Sequence, residues 1–375
     1  MNRIQSRSPY FVKHNETNLT SAVLEVWVYT GTQTSSRPVA PTFTLQIEAY
    51  NETIVSDISQ FISDEVDVLF DGSYSSSLMV WVDYQVTPYV LEVEQTSETL
   101  VALEGFIGFR DFKDGVQNIA RANDTNKLLM SNRIIYRPAG TYLNIPVLKD
   151  STYTVGFIDA SGDSIYTESI TSSLVSTSRL AYLNDSGTAG FDSYVDRVIA
   201  DGGEVIESSC LKDLLCDDFS GLSRITIDGD IIVVKTLELS KYPYYKITFV
   251  NRFGALQDVY FTGKSQQKLN SSSGSSYRRN TLVDDSYNIS KHVNISQSKN
   301  GVESLSLSTG FLDEGHNEVF RQLQLSQYVW IEIEGVTLPV EVANSGMTYK
   351  TSVNDNLIAF KLDVNFAFNT INDIR

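Results

Sequence analysis

The residues best suited to chemistry are two cysteines and three histidines, and their spacing argues against a shared site. Cys210 and Cys216 lie close together, whereas His14, His292 and His316 are far from them in sequence. Zinc sites take about four ligands from compact motifs, and two cysteines are too few for a disulfide scaffold. We therefore predict ordinary thiols, as in a reducing compartment, and no metal site. His316 falls in a helical pattern, where a lone histidine is expected to be structural or to face solvent.

Acidic side chains are concentrated between Phe191 and Val234, where a glycosidase pair is the first chemistry to consider. Such a pair supplies one carboxyl group as acid and a second as base or nucleophile. Spacing in the sequence does not place any two of these groups across a cleft, and the formal net charge of −17 favours solvated surface carboxylates. Asp159 to Asp163 resembles part of a calcium loop but lacks the full pattern with its terminal glutamate, so we predict a hairpin turn there.

Other motifs also favour packing over catalysis. Nucleophile elbows, phosphate loops and dinucleotide-binding glycines do not occur in the sequence context that their chemistry requires. Trp27, Trp81 and Trp330 could stack on sugar rings, but all three lie in strongly alternating stretches. Burial in a core or an interface is therefore the favoured interpretation. The sequence predicts no catalytic residue and no cofactor.

The overall charge restricts the partners of this chain. With an isoelectric point near 4.6, it lacks the excess of Lys and Arg that specific nucleic-acid binding uses, so no such binding is expected. The first twenty residues are polar and no run of about 18 apolar residues follows, so neither a leader nor a membrane span is expected. Its many N-x-[ST] triplets indicate a surface rich in Asn, Ser and Thr.

Alternation of apolar and polar residues predicts a mainly β protein. The period is two at 22–29, 78–84 and 357–368, whereas Ser56 to Val66 has helical spacing. We predict a multi-domain β-sandwich-like architecture with a few short helices, one of them in the C-terminal module. The expected units are an N-terminal β-sandwich-like domain at 1–110, a middle β-rich domain at 111–237 and a C-terminal β-rich assembly module at 238–375.

The C-terminal module has the clearest local pattern. Two aromatic-rich strands are expected around a turn at Asn251 to Gly254, where glycine permits a turn or bulge. A polar stretch from Ser265 to Ser276, followed by Tyr277, Arg278 and Arg279, is predicted to be an exposed loop. A helix is expected over Phe311 to Leu323, because their apolar residues form one stripe.

Four segments of this module carry a distinctive pattern: a hairpin at Tyr244 to Phe261, a helix start at Ser308 to Glu318, a strand pair at Val329 to Val340 and an ending at Tyr349 to Phe368. Together they resemble tail and ring structural proteins of tailed bacteriophages, particularly crAss-like phages and related phages of Bacteroidetes-type gut bacteria. Residues 1–110 and the stretch LLMSNRIIYRPAGTYLNIPV are similar to upstream parts of such proteins.

The resemblance implies a non-enzymatic virion component made in the cytoplasm of the host bacterium and located in the phage tail. It would form a closed homo-oligomeric ring or sleeve around the channel for DNA and ejected proteins, beside other tail or neck proteins. Rings of this kind use a heterologous interface that closes by rotation. Exposed strand edges, aromatic faces and adaptable loops would supply that interface.

Candidate interface residues lie in the turn, the polar loop and one aromatic strand: Asn251, Arg252, Phe253, Tyr277, Arg278, Arg279 and Trp330. The loop from Ser265 to Arg279 is expected to become ordered only in the assembled particle.

The sequence leaves two other functions open. A carbohydrate-binding adhesin or receptor-binding appendage would stack surface tryptophans and tyrosines on host glycans, with Trp27, Trp81 or Trp330 exposed in a shallow groove. A glycan-depolymerising enzyme would have two carboxylates facing each other across a cleft.

Overall fold

The architecture is that of a computed structural model. It describes residues 2–31, 33, 36–74, 79–90, 95–109, 128–138, 141, 143–148, 153–162, 164–170, 180–184, 222–237, 241–279, 282–283, 286–287, 289–343 and 357–370. The predictions for Cys210 and Cys216, for the acidic residues at 191–221 and for the matching segment at 349–356 lie outside the described residues.

The N-terminal part is a five-stranded sheet with one helix packed beside it. Its elements are β1 (Asn2–Gln5), β2 (Phe11–Asn15), β3 (Ser21–Tyr29), β4 (Phe43–Glu48), β5 (Thr53–Asp57), α1 (Ser59–Asp64), β6 (Met79–Pro88) and β7 (Thr96–Leu103). The sheet order is β1-β7-β6-β3-β4, and β2 pairs separately with β5. One face packs against β2, β5 and α1, with Leu24, Ile58 and Ile62 fully buried. The expected helix near Ser56 to Val66 is confirmed as α1.

The middle part contains a second five-stranded sheet and a separate strand pair. Its strands are β8 (Ile134–Pro138), β9 (Asn144–Leu148), β10 (Tyr153–Asp159), β11 (Ser164–Ile170), β12 (Leu180–Asn184), β13 (Leu222–Ile227) and β14 (Asp230–Leu237). The order is β11-β10-β13-β14-β8, and β12 pairs with β9. β10 and β11 are antiparallel neighbours joined at Gly162, whose φ is +94°. The predicted hairpin is confirmed.

The C-terminal part is a seven-stranded antiparallel sheet with a helix on one face. Its elements are β15 (Tyr245–Val250), β16 (Leu256–Phe261), β17 (Gln266–Ser273), β18 (Ser276–Arg278), β19 (Leu282–Val283), β20 (Ser286–Tyr287), β21 (Asn294–Ser296), β22 (Lys299–Asp313), a 3₁₀ turn (Glu314–His316), α2 (Asn317–Leu325), β23 (Val329–Ile333), β24 (Val336–Val342) and β25 (Leu357–Phe366). The order is β16-β15-β23-β24-β25-β22-β17. Val319, Phe320 and Leu323 of α2 enter its core.

These elements confirm a mainly β, multi-sheet fold with a few short helices, one of them in the C-terminal module. Each large sheet is formed within one of the three segments expected from the sequence. The division of the chain into three domains stays a prediction.

The predicted C-terminal helix begins later than its apolar stripe indicated. Phe311 and Leu312 belong to β22, where they pair with Ala359 and Ile358 of β25. Asp313 is extended, and its carboxylate accepts a hydrogen bond from the Gly315 backbone N–H at 2.9 Å. This cap starts the 3₁₀ turn and excludes the preceding residues from the helix.

The prediction of a loop from Ser265 to Ser276 is wrong, although its predicted exposure is confirmed. Contrary to the expectation that this segment becomes ordered only in the assembled particle, it is paired as a strand within the single chain. Gln266 to Ser273 form β17, which pairs with β22 in one continuous antiparallel register. Hydrogen bonding to a neighbouring strand stabilises this segment even though its Asn and Lys residues have low β-propensity. Because all eight residues of β17 are exposed, its sequence carries no alternation from which a strand could be recognised.

Candidate assembly surface

Two structural features bear on assembly: a buried joint between the N-terminal and C-terminal sheets, and a β-ribbon that projects from the body. The joint is an apolar cluster formed by the second face of the N-terminal sheet, Leu129 of the middle part, and C-terminal residues at the β15–β16 turn and in β23. Trp27 and Trp81 belong to the N-terminal sheet, and Trp330 belongs to the C-terminal sheet. Phe70 packs edge to face on Trp330, with ring centroids 5.4 Å apart.

The tryptophans therefore serve packing within one chain. The exposed fractions of Trp27, Trp81 and Trp330 are 5%, 0% and 7%. Sugar stacking needs an accessible ring face, which these side chains do not offer. Trp330, one of the candidate interface residues, is buried within the subunit.

The turn at Asn251 to Ala255 inserts into this joint. Asn251 is buried, and its amide donates to the Leu129 carbonyl at 2.7 Å. Its side-chain oxygen accepts from the backbone N–H groups of Phe253 and Ala255, at 2.9 and 3.2 Å. The candidate residues of this turn thus hold parts of one chain together, with Arg252 and Phe253 only partly exposed.

Two glycines allow the turn to approach the end of β7. Gly254 has φ +77°, and a Cβ there would lie 2.6 Å from the Leu103 Cβ. A Cβ on Gly105 would lie 2.4 Å from the Arg252 carbonyl oxygen. That carbonyl accepts a hydrogen bond from the Phe106 N–H at 2.8 Å. Only glycine fits at this crossing, a pairing that sequence reasoning missed because the two residues are far apart in the chain.

A polar network around Asp258 ties the three parts of the chain together. The Tyr74 hydroxyl donates to the Asp258 carboxylate at 2.6 Å, and the Thr248 hydroxyl donates to it at 2.8 Å. The Asn144 amide adds a third bond at 3.3 Å. Burial, followed by the charge of Asp258, raises the pKa of Tyr74 well above its ordinary value, so this hydroxyl remains a donor.

Next to this network lies a small cavity between the middle part and the C-terminal sheet. Its walls include Tyr136, Asn144, Asp258 and His316, and its volume is about 30 Å³. That space holds roughly two water molecules. Burial lowers the pKa of His316 to about 4, against the opposing effect of Asp313. His316 is therefore neutral at pH 7, and Asn132 Nδ2 lies 3.4 Å from its Nε2.

The β-ribbon is the most exposed part of the C-terminal sheet. β17 and β22 form its inner segment, and β18 and β21 continue it as the outer segment. β25 pairs with β22 only from Ser304 onward, so the ribbon beyond that point has two strands. From Lys268, opposite Ser304, to Arg279 it extends roughly 36 Å, at about 3.3 Å per residue.

Among the described residues of the outer segment, all of β18 and Asn294 of β21 are exposed, whereas Ile295 and Ser296 are half-buried. Tyr277, Arg278 and Arg279 are all exposed, with half of the Tyr277 surface accessible. Two-stranded ribbons are marginally stable in water unless a third strand or an apolar surface supports them. Of the candidate residues, these three are the ones placed where another molecule can reach them.

The ribbon also differs in charge from the rest of the chain. Between residues 266 and 306, five Lys and Arg side chains outnumber three Asp and Glu side chains, whereas the whole chain carries a formal net charge of −17. The ribbon is therefore a basic projection on an acidic protein.

No protein-family model matches the chain, and no curated protein matches it. Among the described residues, no group of three or more His, Cys, Asp and Glu side chains could hold a metal ion. No helix in the described ranges is long and apolar enough to cross a membrane.

Proposed function

We propose that this chain is a non-enzymatic structural protein of a tailed bacteriophage virion. Copies of it would form a ring or sleeve in the tail around the ejection channel, in contact with other tail or neck proteins. The protein would be made in the bacterial host before incorporation into the particle.

The ribbon is the observation that carries this proposal. Its strands β17 and β18 are exposed throughout, with Ile295 and Ser296 of β21 half-buried, yet the ribbon extends from a sheet that packs a large apolar core. Uncovered strands of this kind are sites where another chain adds contacts. The buried joint also supports a structural role, because a subunit under mechanical load in a tail needs its N-terminal and C-terminal sheets fixed to each other.

The titratable groups nearest the described cavity have structural roles in this proposal. Asp258 receives hydrogen bonds from three parts of the chain, and His316 is buried and neutral. The volume of about 30 Å³ is far below that of an organic substrate pocket. The carbohydrate-binding alternative loses the three tryptophans as stacking platforms, because they are buried.

Quantitative peptide mass spectrometry of purified phage particles tests the proposal. Peptides of this chain should be present at several copies per particle, and antibody-gold labelling should locate them on the tail. Particles that contain none of its peptides, while infected cells contain the protein, would contradict the proposed function.

A further inference from the structure

The two faces of the outer ribbon differ in character. Tyr277 lies directly opposite Ile295, and the Arg279 N–H donates to the Val293 carbonyl at 2.7 Å. Successive side chains of a strand point to opposite faces, so Tyr277, Arg279, Val293 and Ile295 share one face. We call these four residues the docking face. Arg278 lies on the opposite face.

The docking face combines exposed apolar surface with positive charge. The exposed fractions are 50% for Tyr277 and 39% for Val293. Arg279 is also exposed, and the exposed Lys291 lies in a bend two residues before Val293. Aromatic and Arg side chains are the types most enriched at interface centres. The opposite face presents Asn294 and Ser296 beside Arg278, and it has no apolar side chain in this segment.

Charge identifies the class of partner. Of the four residues of the docking face, Arg279 is charged and none is acidic, and Lys291 lies two residues before Val293 in the chain. Over 276–296 as a whole, Arg278, Arg279 and Lys291 outnumber Asp284 and Asp285. A complementary surface is therefore acidic, and the body of this same chain is strongly acidic. A ribbon on one copy and an acidic surface on the next form a head-to-tail contact, which repeats until rotation closes it.

We infer that the docking face of the ribbon binds the acidic surface of a second copy of this chain. This inference rests on the proposed function and adds to it the contact that links neighbouring subunits. Tyr277, Val293 and Ile295 would supply the apolar centre of that contact, with Arg279 as its charged group.

Sedimentation velocity of the full chain tests the partner. The protein should associate in a concentration-dependent manner at about 50 mM salt. The ratio of the dissociation constants of Arg279→Glu and the wild type should fall at least about fivefold near 500 mM, because salt screens the local attraction that this variant removes. A chain that remains monomeric at the lower salt concentration up to its solubility limit would overturn the inference.

Adjacent arginines on opposite faces provide a matched control. Arg279→Glu and Arg278→Glu make the same change in net charge at neighbouring exposed positions. We expect Arg279→Glu to weaken association at least about tenfold more than Arg278→Glu, because it places a carboxylate against an acidic partner. Tyr277→Ser should weaken association without any change in net charge.

Equal effects of the two arginine substitutions would show a nonspecific charge effect and would overturn the claim that the docking face is the side of the ribbon that binds the second copy. All three variants should keep the melting temperature of the wild type, because the positions are exposed. Whether the chain is present in virions distinguishes a failure of the docking inference from a failure of the proposed function. A chain that is present in particles but does not associate in solution contradicts this inference alone, whereas a chain that associates but is absent from particles contradicts the proposed function.

Discussion

Single residues decide how the N-terminal and C-terminal sheets meet. Gly254 occupies the left-handed region at φ +77° and abuts the backbone of Leu103 and Glu104. The Asn251 side chain hydrogen-bonds both within this turn and to Leu129, so the turn is locked in one conformation. The sequence predicted a turn here, and its glycine, but gave no indication of what the turn contacts.

Gly254→Ala should destabilise the chain more than Gly335→Ala. The two glycines have nearly the same φ, +77° and +78°, but nothing lies within 4 Å of a Cβ built on Gly335. Both variants incur the left-handed penalty of roughly 1 kcal/mol. Gly254→Ala adds overpacking of about 2 kcal/mol. Urea unfolding measures the difference, and equal losses would mean that the close approach is not rigid.

His316 should make the protein less stable in acid. Its pKa is about 4 in the folded chain and 6.5 ordinarily, so the unfolded chain takes up the proton first as pH falls. Stability should therefore decline between pH 6.5 and 4, by roughly 3 kcal/mol from this group. The slope of unfolding free energy against pH should become shallower in His316→Gln. An unchanged slope would show that His316 is accessible to protons in the folded state.

At the scale of elements, the aromatic joint packs the N-terminal sheet and the C-terminal sheet against each other. Trp81 of β6 and Trp330 of β23 lie in the same apolar cluster although they come from opposite ends of the chain. A cluster shared between sheets should make them unfold together, because disrupting either one exposes the other's apolar surface.

Trp330→Ala should cost roughly 3 to 5 kcal/mol and separate the unfolding of the two sheets. Calorimetry should then resolve two transitions where the wild type has one. Ile247→Ala is the control, because Ile247 is fully buried in the C-terminal core away from the joint. It should lower stability without separating the transitions. A single transition in Trp330→Ala would contradict the role given to the joint.

Whether a strand could be predicted from the sequence depended on whether one of its faces is buried. β25 and the first half of β3 have one buried face, so their alternation is visible in sequence, whereas β6 is buried on both faces. β17 has no buried residue, and it pairs with β22, from which it is separated in the chain by β18 to β21. Alternation predicted that Trp330 would be buried, but could not distinguish burial within one chain from burial between copies.

At the scale of the whole molecule, an acidic body bears a basic ribbon. Composition gave the overall charge but not its separation in space, which depends on a ribbon that the sequence did not predict. Mutual repulsion between acidic bodies would oppose crowding, and the ribbon provides a local attraction of opposite sign. Assembly by such contacts should be directional, with each copy both giving and receiving a ribbon.

An averaged electron cryomicroscopy image of the phage tail tests the central claim most directly. We expect repeated copies of this fold related by rotation about the tail axis, with the ribbon of each copy on the body of its neighbour. A tail map without this fold, or with copies whose ribbons lie free in solvent, would contradict the account.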